Sequence, residues 1–414
     1  MSLIISHHPN PPHRRGNGEK IMLLNTTTSS ERLHIAFFGC RNAGKSSLVN
    51  AVTNQQLSVV SDIKGTTTDP VQKAMELLPI GPVVIIDTAG LDDGGELGEL
   101  RIEKTMQVLG KTDIAVLVVD STIGINEYDK QIIKLFEERK LPYVVVYNKS
   151  DLAPSLTLPH GEGIAASALT GEGVNELREL LGKIASANKV EKYIIKDRLK
   201  AGDIVILVIP IDESAPKGRL ILPQQNVLRE CLDAHAVPIC CQVDELEGVL
   251  KNITPKFVIT DSQAFNKVKD IVPENIILSS FSILMAQYKG NLQKLLEGAE
   301  TLLKLKDDDK VLISEACTHH RQCNDIGTVK LPKWIENYTG KNINFEFTQG
   351  GEFPADLSKY KLIVHCGGCM INEAEMTTRQ KKAVSQGVPM LNYGMAIAYM
   401  NGILERALRI FENE

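Results

Sequence analysis

The sequence lacks three features that would place it in a special class of protein. No uninterrupted apolar stretch reaches the ~20 residues that a helix needs to span a bilayer. The net charge of −5 gives no surplus of basic residues, which argues against nucleic acid as the main partner. Eight cysteines in 414 residues are too few for a disulfide scaffold and suit a reducing compartment. We therefore expect a cytoplasmic protein whose partners include neither membrane nor nucleic acid.

The first 21 residues are rich in His, Pro, Arg and Gly, and they lack the apolar core of a signal peptide. Met22 is followed by a polar Thr/Ser run, which favours Met22 as the natural start of translation. We expect residues 1–30 to form a disordered N-terminal extension.

Length and hydrophobic pattern predict more than one domain of the α/β class, at a prior of ~150 residues per domain. Between residues 32 and 188, short runs that are apolar throughout alternate with amphipathic stretches such as Glu127–Arg139. Such runs indicate strands buried on both faces, hence a mainly parallel sheet. The strands are predicted at His34–Phe38, Val83–Asp87, Ile114–Asp120, Tyr143–Tyr147 and Gly163–Ser167. A charged segment, Lys189–Lys200, is predicted to be a linking helix.

The rest of the chain predicts two further α/β units without a visible internal repeat. In the second unit, strands are predicted at Asp203–Ile209, Val237–Gln242, Phe257–Thr260 and Ile276–Ser279, with helices at Gln224–Ala234 and Asp244–Asn252. Its cysteines, Cys231, Cys240 and Cys241, are expected to be core thiols. The third unit is predicted to begin with one long helix from Ile283 to about Leu305, followed by strands at Lys310–Ser314 and Lys361–Val364. Its later helices are predicted at Thr328–Thr339, Glu373–Gln386 and Leu404–Glu412.

A phosphate-binding motif, G-x-x-x-x-G-K-S, follows the first predicted strand and opens a helix. Glycines let backbone N–H groups surround phosphates, Lys45 reaches the β and γ oxygens, and Ser46 binds Mg²⁺. The predicted nucleotide-binding residues of this loop are Gly39, Asn42, Ala43, Gly44, Lys45, Ser46 and Ser47.

Two later segments complete the predicted Mg²⁺ and γ-phosphate contacts. Asp87 ends a predicted strand and can hold Mg²⁺ through water, while the Gly90 N–H can contact the γ-phosphate. The preceding G-T-T-T-D segment offers Thr67 as the Mg²⁺-binding hydroxyl, with Thr66 and Thr68 as alternatives.

The base is predicted from the segment Asn148-Lys149-Ser150-Asp151, which also follows a strand. A carboxylate at Asp151 accepts both the N1–H and N2–H₂ donors of guanine, which adenine lacks. Ser167 and Ala168 lie where a further loop offers a backbone N–H to the guanine O6. The sequence therefore predicts a P-loop GTPase that converts GTP into GDP and phosphate.

These motifs resemble the TrmE and Era-like group of GTPases. Leu91 stands where Ras-like enzymes carry a water-orienting Gln, so slow turnover is expected. The resemblance implies that K⁺, held in part by Asn42, and a loop glutamate assist hydrolysis. The candidates for that glutamate are Glu96 and Glu99.

Two clusters of soft ligands, Cys317-Thr318-His319 and His365-Cys366-Gly367-Gly368-Cys369, each follow a predicted strand. They would therefore lie at the carboxyl edge of an α/β sheet, where ligands bind at a reversal of strand order. Thiolate and imidazole donors suit zinc or an iron–sulfur cluster. The spacing slightly favours zinc, whereas the three cysteines and the glycine pair favour iron–sulfur.

The combination of such a GTPase with a C-x-H…H-C-x-x-C domain resembles the HydF family of FeFe-hydrogenase maturation GTPases, from about Met22 to the end. The resemblance implies a 4Fe–4S cluster on Cys317, Cys366 and Cys369, with one iron left open to a weaker ligand. Candidates for further ligands are His319, His365 and Asp325, and Cys323 is a weaker one. It also implies a transient 2Fe precursor as cargo, the radical-SAM maturases HydE and HydG and apo FeFe-hydrogenase as partners, and a homodimer.

The predicted division is an extension at 1–30, a P-loop GTPase domain at 31–190, a dimerisation domain at 191–282 and a cluster-binding domain at 283–414. We expect the GTP state to change the loops around Thr67 and Gly90, and through them the docking of maturation partners. The alternative is a TrmE/Era-like, RNA-associated GTPase with a structural zinc domain.

Overall fold

The structure, a computed structural model, describes residues 28–55, 71–88, 104–152, 163–187, 191–211, 220–316 and 325–412. Within these residues the chain forms three β-sheets that follow one another in the sequence and are flanked by helices. This confirms the predicted α/β class, with a mainly parallel first sheet followed by two further α/β units. Each sheet with its helices is called the first, second or third unit below.

The first unit is a six-stranded sheet in the order β2-β3-β1-β4-β5-β6. Its strands are β1 (Leu33–Phe38), β2 (Val71–Leu77), β3 (Gly81–Asp87), β4 (Ile114–Asp120), β5 (Tyr143–Asn148) and β6 (Ile164–Ala165). Only β2 is antiparallel to its neighbour. Its helices are α1 (Lys45–Thr53), α2 (described over 104–109), α3 (Glu127–Arg139) and α4 (Val174–Ala187). Apolar residues of β1 alternate between two buried cores, one on each face of the sheet.

The second and third units share one topology. The second sheet contains β7 (Ile204–Val208), β8 (Val237–Cys241), β9 (Phe257–Thr260) and β10 (Ile277–Ser280), in the order β10-β9-β7-β8. The third contains β11 (Lys310–Glu315), β12 (Asn344–Gln349), β13 (Leu362–His365) and β14 (Met390–Asn392), in the order β12-β11-β13-β14. All pairs are parallel, and the strand order reverses between β7 and β9 and again between β11 and β13. This repeat was not visible in the sequence.

Helices cover both faces of these two sheets. They are α5 (Leu222–Asp233), α6 (Leu246–Leu250), α7 (Phe265–Ile271), α8 (Phe281–Lys289), α9 (Leu292–Ala299), α10 (Leu331–Thr339), α11 (Glu373–Ser385), α12 (Tyr393–Met400) and α13 (Leu404–Leu408). None of the helices in the described part of the chain is long and apolar enough to cross a bilayer.

The second and third units are joined by a continuous apolar core. Ile206 of β7 and Val311 of β11 belong to the same cluster of buried residues. Helix α8 contributes to this cluster through Ile283, while Phe281 and Leu284 pack into a second core of the β7 sheet. Burial on two sides fixes α8 between the units.

The predicted long helix from Ile283 to Leu305 was wrong. Helix α8 ends at Lys289, and the following residue, Gly290, is extended with φ −139°. Asn291 then caps α9, because its side chain accepts a hydrogen bond from the Lys294 N–H.

The predicted linking helix Lys189–Lys200 was also wrong over its described part, where only a 3₁₀ turn forms at Lys196–Arg198. The Glu230 carboxylate accepts hydrogen bonds from the N–H groups of Ile194, Ile195 and Lys196, which occupies donors that a helix would use. Cys240 likewise differs from expectation, because it is exposed whereas Cys231 and Cys241 are buried.

Two glycines test the packing of these units. A Cβ atom on Gly298 in α9 would lie 2.3 Å from the Met390 carbonyl oxygen of β14, and backbone cannot move aside as a side chain can. We expect Gly298→Ala to lower the free energy of unfolding by about 1–3 kcal/mol, the usual cost of overpacking. Gly248→Ala in α6, where a Cβ would meet nothing within 4 Å, is the matched control and should be neutral or stabilising by up to about 1 kcal/mol. Urea unfolding of both variants measures this, and equal shifts would contradict it.

Candidate functional site

The predicted phosphate loop lies between β1 and α1, and three of its residues have a positive φ. Gly39 and Gly44 have φ of +141° and +84°, and Asn42 has φ +62°. A Cβ on Gly39 would lie 2.2 Å from a backbone oxygen of β4, so no other residue fits there. The Lys45 ammonium donates to the carbonyl oxygens of Gly39 and Cys40, each at 2.9 Å, which holds a positive charge inside the loop.

The two predicted Mg²⁺ ligands that are described touch each other. The Ser46 hydroxyl, in the first turn of α1, donates to Asp87 Oδ2 at the end of β3 over 2.6 Å. The other carboxylate oxygen, Asp87 Oδ1, is buried and has no hydrogen-bond partner among the described residues. A hydroxyl and a carboxylate together are the hard oxygen donors that Mg²⁺ prefers.

The predicted base-recognition segment is tied to the phosphate loop through Asn148, the last residue of β5. The Asn148 amide donates to the Ala43 carbonyl over 2.9 Å and accepts from the Ala168 N–H over 3.0 Å. The side chain therefore joins the two loops that the sequence assigned to phosphate and base. Asp151 lies in a 3₁₀ turn with its side chain exposed, where a carboxylate can accept from a ligand.

Lys149 in the same segment is held by an ion pair. Its ammonium lies 2.6 Å from Asp120 Oδ2, at the end of β4. Although partial burial alone would raise the pKa of Asp120, hydrogen bonds from Lys149 and Thr122 bring that pKa below its usual range. The carboxylate is therefore ionised wherever the nucleotide site works near neutral pH.

Several predicted residues lie outside the described residues. They are Thr66, Thr67, Thr68, Gly90, Glu96, Glu99, Cys317, His319 and Cys323, and residues 1–27 of the predicted N-terminal extension lie outside as well. Their roles stay predictions.

The C-x-x-C turn follows β13 at the point where strand order reverses. The Cys366 N–H donates to the Ser314 carbonyl of β11 over 3.0 Å, so the turn leaves the sheet beside that strand. The Cys366 sulfur accepts from the Ala316 N–H at 3.1 Å and the Gly368 N–H at 3.4 Å. Burial raises the pKa of Cys369, while the nearby Lys289 opposes that rise. N–H donors aimed at sulfur suit a thiolate ligand.

Among the described residues, no group of three or more His, Cys, Asp or Glu side chains is arranged to hold a metal ion. The third predicted cysteine, Cys317, is joined by one peptide bond to Ala316, whose N–H contacts the Cys366 sulfur. Asp325 has another task, because its Oδ2 accepts from both the N–H and the hydroxyl of Thr328 and so caps a helical turn.

His365 has both ring nitrogens engaged. Its Nε2 lies 3.0 Å from Arg379 Nη1, and its Nδ1 lies 2.7 Å from the Cys366 carbonyl oxygen. A guanidinium can only donate, so Nε2 accepts and Nδ1 carries the proton. Complete burial and the nearby Arg379 charge lower the pKa of His365 to about 3, which keeps the ring neutral. In this structure the His365 Nδ1–H therefore donates a hydrogen bond to the Cys366 carbonyl and helps to orient the backbone of the turn.

Helix α11 joins this turn to the first unit. The Asn372 side chain donates to the Lys111 carbonyl over 2.8 Å, and the Thr378 hydroxyl donates to the Gly110 carbonyl over 2.9 Å. Glu373 also forms an ion pair with Lys192. Residues 110–113 connect α2 to β4, so the described nucleotide-binding unit contacts the helix that follows Cys369.

Comparison with known proteins separates the units. A model described as "50S ribosome-binding GTPase" matches residues 34–149. Models of the hydrogen maturase F dimerization and tetramerization domains match residues 194–290 and 293–410, which together make up more than half of the chain. The chain belongs to the hydrogen maturase F family.

Relatives outside this family resemble the first unit. The tRNA modification GTPase MnmE of Dechloromonas aromatica is 34% identical over 168 residues, 39% of this chain and 37% of the relative. The GTPase Der of Kosmotoga olearia is 37% identical over 142 residues, 33% of this chain and 31% of that protein. The chain thus spans about a third of the length of these relatives.

Among solved structures, Era in complex with MgGDPNP and 16S ribosomal RNA nucleotides is 21% identical, with a TM-score of 0.34 over 55% of this chain and 91% of that one.

Family membership has two consequences. The first unit is a GTPase domain, for which GTP and Mg²⁺ are the expected ligands. The second and third units carry the family's dimerization and tetramerization domains, which supports oligomerisation.

Sequence reasoning missed Lys289 and Arg379, which lie beside the C-x-x-C turn. The Arg379 guanidinium bonds Glu375 at 2.5 Å and the Gly350 carbonyl at 2.7 Å besides His365. In the sequence it stands in a polar stretch that is typical of a solvated helix face. Since most of its partners lie far along the chain, no local pattern could have identified it.

Proposed function

We propose that this protein is a GTP-hydrolysing scaffold that binds a 4Fe–4S cluster and assembles or delivers the 2Fe precursor to apo FeFe-hydrogenase. The observation that carries the proposal is the junction at α11, where the helix after the C-x-x-C turn contacts the GTPase domain. The match of two family-specific models to the second and third units supports it and argues against an RNA-associated GTPase with structural zinc.

Nucleotide chemistry rests on the first unit. Lys45 and the backbone N–H groups of the phosphate loop hold the phosphates, and the Asp151 carboxylate selects guanine. Ser46 and Asp87 hold Mg²⁺, which when bound neutralises charge on the β and γ phosphates. Asn42 is the proposed K⁺ ligand, Thr67 the second Mg²⁺ hydroxyl, and Glu96 or Glu99 the residue that assists water.

The cysteine turn fits an iron–sulfur cluster better than an inert pair of thiols. Two thiols share one turn at a sheet edge, and the Cys366 sulfur already accepts two backbone N–H groups. Cys317, Cys366 and Cys369 would hold the cluster, which when bound supplies one iron open to a bridging ligand. His319, His365 and Asp325 are the proposed candidates for a further ligand. His319 is the first choice, because His365 and Asp325 also form hydrogen bonds with Arg379 and Thr328.

The partners follow from this function. HydE and HydG, the radical-SAM maturases, would supply the 2Fe precursor, and apo FeFe-hydrogenase would receive it, in the cytoplasm. The protein would work as a homodimer or larger oligomer. Exchange of GTP for GDP would alter the docking of these partners through the loops of the GTPase domain.

Replacement of Cys366 tests the cluster. After anaerobic reconstitution with iron and sulfide, we expect wild type to be brown with an EPR signal on reduction, and Cys366→Ser to lose both. Its GTP hydrolysis should stay close to wild type, because the nucleotide site lies in another unit. Cys240→Ser, at an exposed cysteine of β8, is the matched control and should keep its iron. Colourless, zinc-containing wild type would overturn the proposal.

The proposed K⁺ site is tested by exchange of the salt. We expect GTP hydrolysis to be several-fold faster in KCl than in NaCl of equal concentration, and Asn42→Ala to lose this difference. Equal rates in the two salts would remove K⁺ from the proposal without affecting the GTPase assignment.

Communication between the two sites is tested at the α11 contact. Thr378→Val keeps the shape of the side chain but removes its hydrogen bond to the Gly110 carbonyl. Loss of that bond costs about 1 kcal/mol, which corresponds to about a fivefold weaker coupling between the nucleotide site and the cluster. We expect exchange of GDP for a GTP analogue to alter the EPR signal of the reduced cluster in wild type, and less so in Thr378→Val. Thr339→Val in α10, which loses a hydrogen bond within its own helix, is the control. The same nucleotide response in all three proteins would disprove the coupling.

A further inference from the structure

A buried lysine stands behind the C-x-x-C turn. Lys289 is the last residue of α8 and is 3% exposed. Its ammonium donates to the carbonyl oxygens of Ile371 at 2.7 Å, Gly368 at 3.0 Å and Cys369 at 3.4 Å. The turn thus bends around a positive charge that comes from a helix packed into the cores of both the second and the third unit.

Within the described part of the chain, no carboxylate lies at ion-pair distance from this charge. None of the ion pairs formed by the described residues includes Lys289, and its hydrogen bonds go to neutral carbonyl groups. Burial of an ammonium is costly unless a negative charge compensates it. An amide side chain could donate hydrogen bonds to such carbonyl groups without that cost, so the charge itself needs an explanation.

The other cation near the turn is already neutralised. Arg379 contacts His365 but forms an ion pair with Glu375 at 2.5 Å. Among the residues that the structure describes, Lys289 is therefore the uncompensated positive charge that contacts the backbone of the cysteine turn. A cluster held by three thiolates is an anion, and Cys369, whose carbonyl oxygen accepts from Lys289, would be one of the residues that hold it.

We propose that Lys289 is a positioning residue whose ammonium fixes the C-x-x-C turn and compensates the negative charge of the bound iron–sulfur cluster. The inference rests on the proposed function, because it concerns the same cluster. A positive charge beside the cluster stabilises its reduced form, which carries one more electron. Lys289 therefore raises the reduction potential of the cluster.

Two substitutions separate the charge from the hydrogen bonds. Lys289→Gln removes the charge but keeps N–H donors, and Lys289→Met removes both. Lys304→Gln, at an exposed lysine of the same net charge, is the control. Each full-length protein is reconstituted anaerobically, its iron is counted, and its potential is measured by EPR-monitored redox titration.

We expect Lys289→Gln and Lys289→Met to show a more negative potential than wild type, and Lys304→Gln to match wild type. A fully loaded Lys289→Gln with the wild-type potential would overturn the inference and leave the cluster assignment intact. Wild type that binds no cluster would overturn both.

If neither Lys289 variant takes up a full cluster, thermal unfolding of the cluster-free proteins decides. Compensation predicts that cluster-free Lys289→Gln unfolds within about 4 °C of cluster-free wild type, because the loss of hydrogen bonds to the turn is offset by the removal of a buried charge with no anion beside it. A drop of about 10 °C or more in Lys289→Gln would show a lysine that only supports the fold, which contradicts the inference.

Discussion

The parallel register between β11 and β13 is the constraint on which the cysteine site depends. Ser314 lies opposite His365, so the two strands end at the same level. One further bond, from the Cys366 N–H to the Ser314 carbonyl, extends the ladder into the turn. Because side chains alternate along a strand, a shift by one residue would turn His365 away from Arg379 and the Cys366 sulfur away from Ala316.

The nucleotide site depends in the same way on a parallel register, that of β1 and β3 in the first sheet. Phe37 of β1 lies opposite Asp87 of β3, so the phosphate loop and the carboxylate leave the carboxyl edge together. Ser46 and Asp87 can then touch although 41 positions separate them. Two chemically different sites thus arise because parallel strands end at one edge.

The parts of this arrangement that depend on local sequence could be predicted. Ile114–Asp120 and Phe257–Thr260 are apolar strands of mainly parallel sheets, and their predicted bounds agree with the structure. Strand β2 was missed because it is an antiparallel edge with exposed Lys73 and Glu76, and so carries no apolar run. The hydrogen bonds of Glu230 to residues 194–196 and those of Lys289 to the cysteine turn join distant segments, so no local pattern reveals them.

The nature of the contacts between units indicates which of them can move. The second and third units share an apolar core, and their separation would expose it to water. Among the described residues, the buried cores of the first unit include no residue of the other two, and α11 meets residues 110–113 through polar groups that water can replace. Relative motion of the first unit against the other two would therefore cost less than separation of the second unit from the third. Glu375, one turn along α11 from Asn372, holds the Arg379 that bonds His365, so a continuous series of hydrogen bonds links the contact with the first unit to the backbone of Cys366.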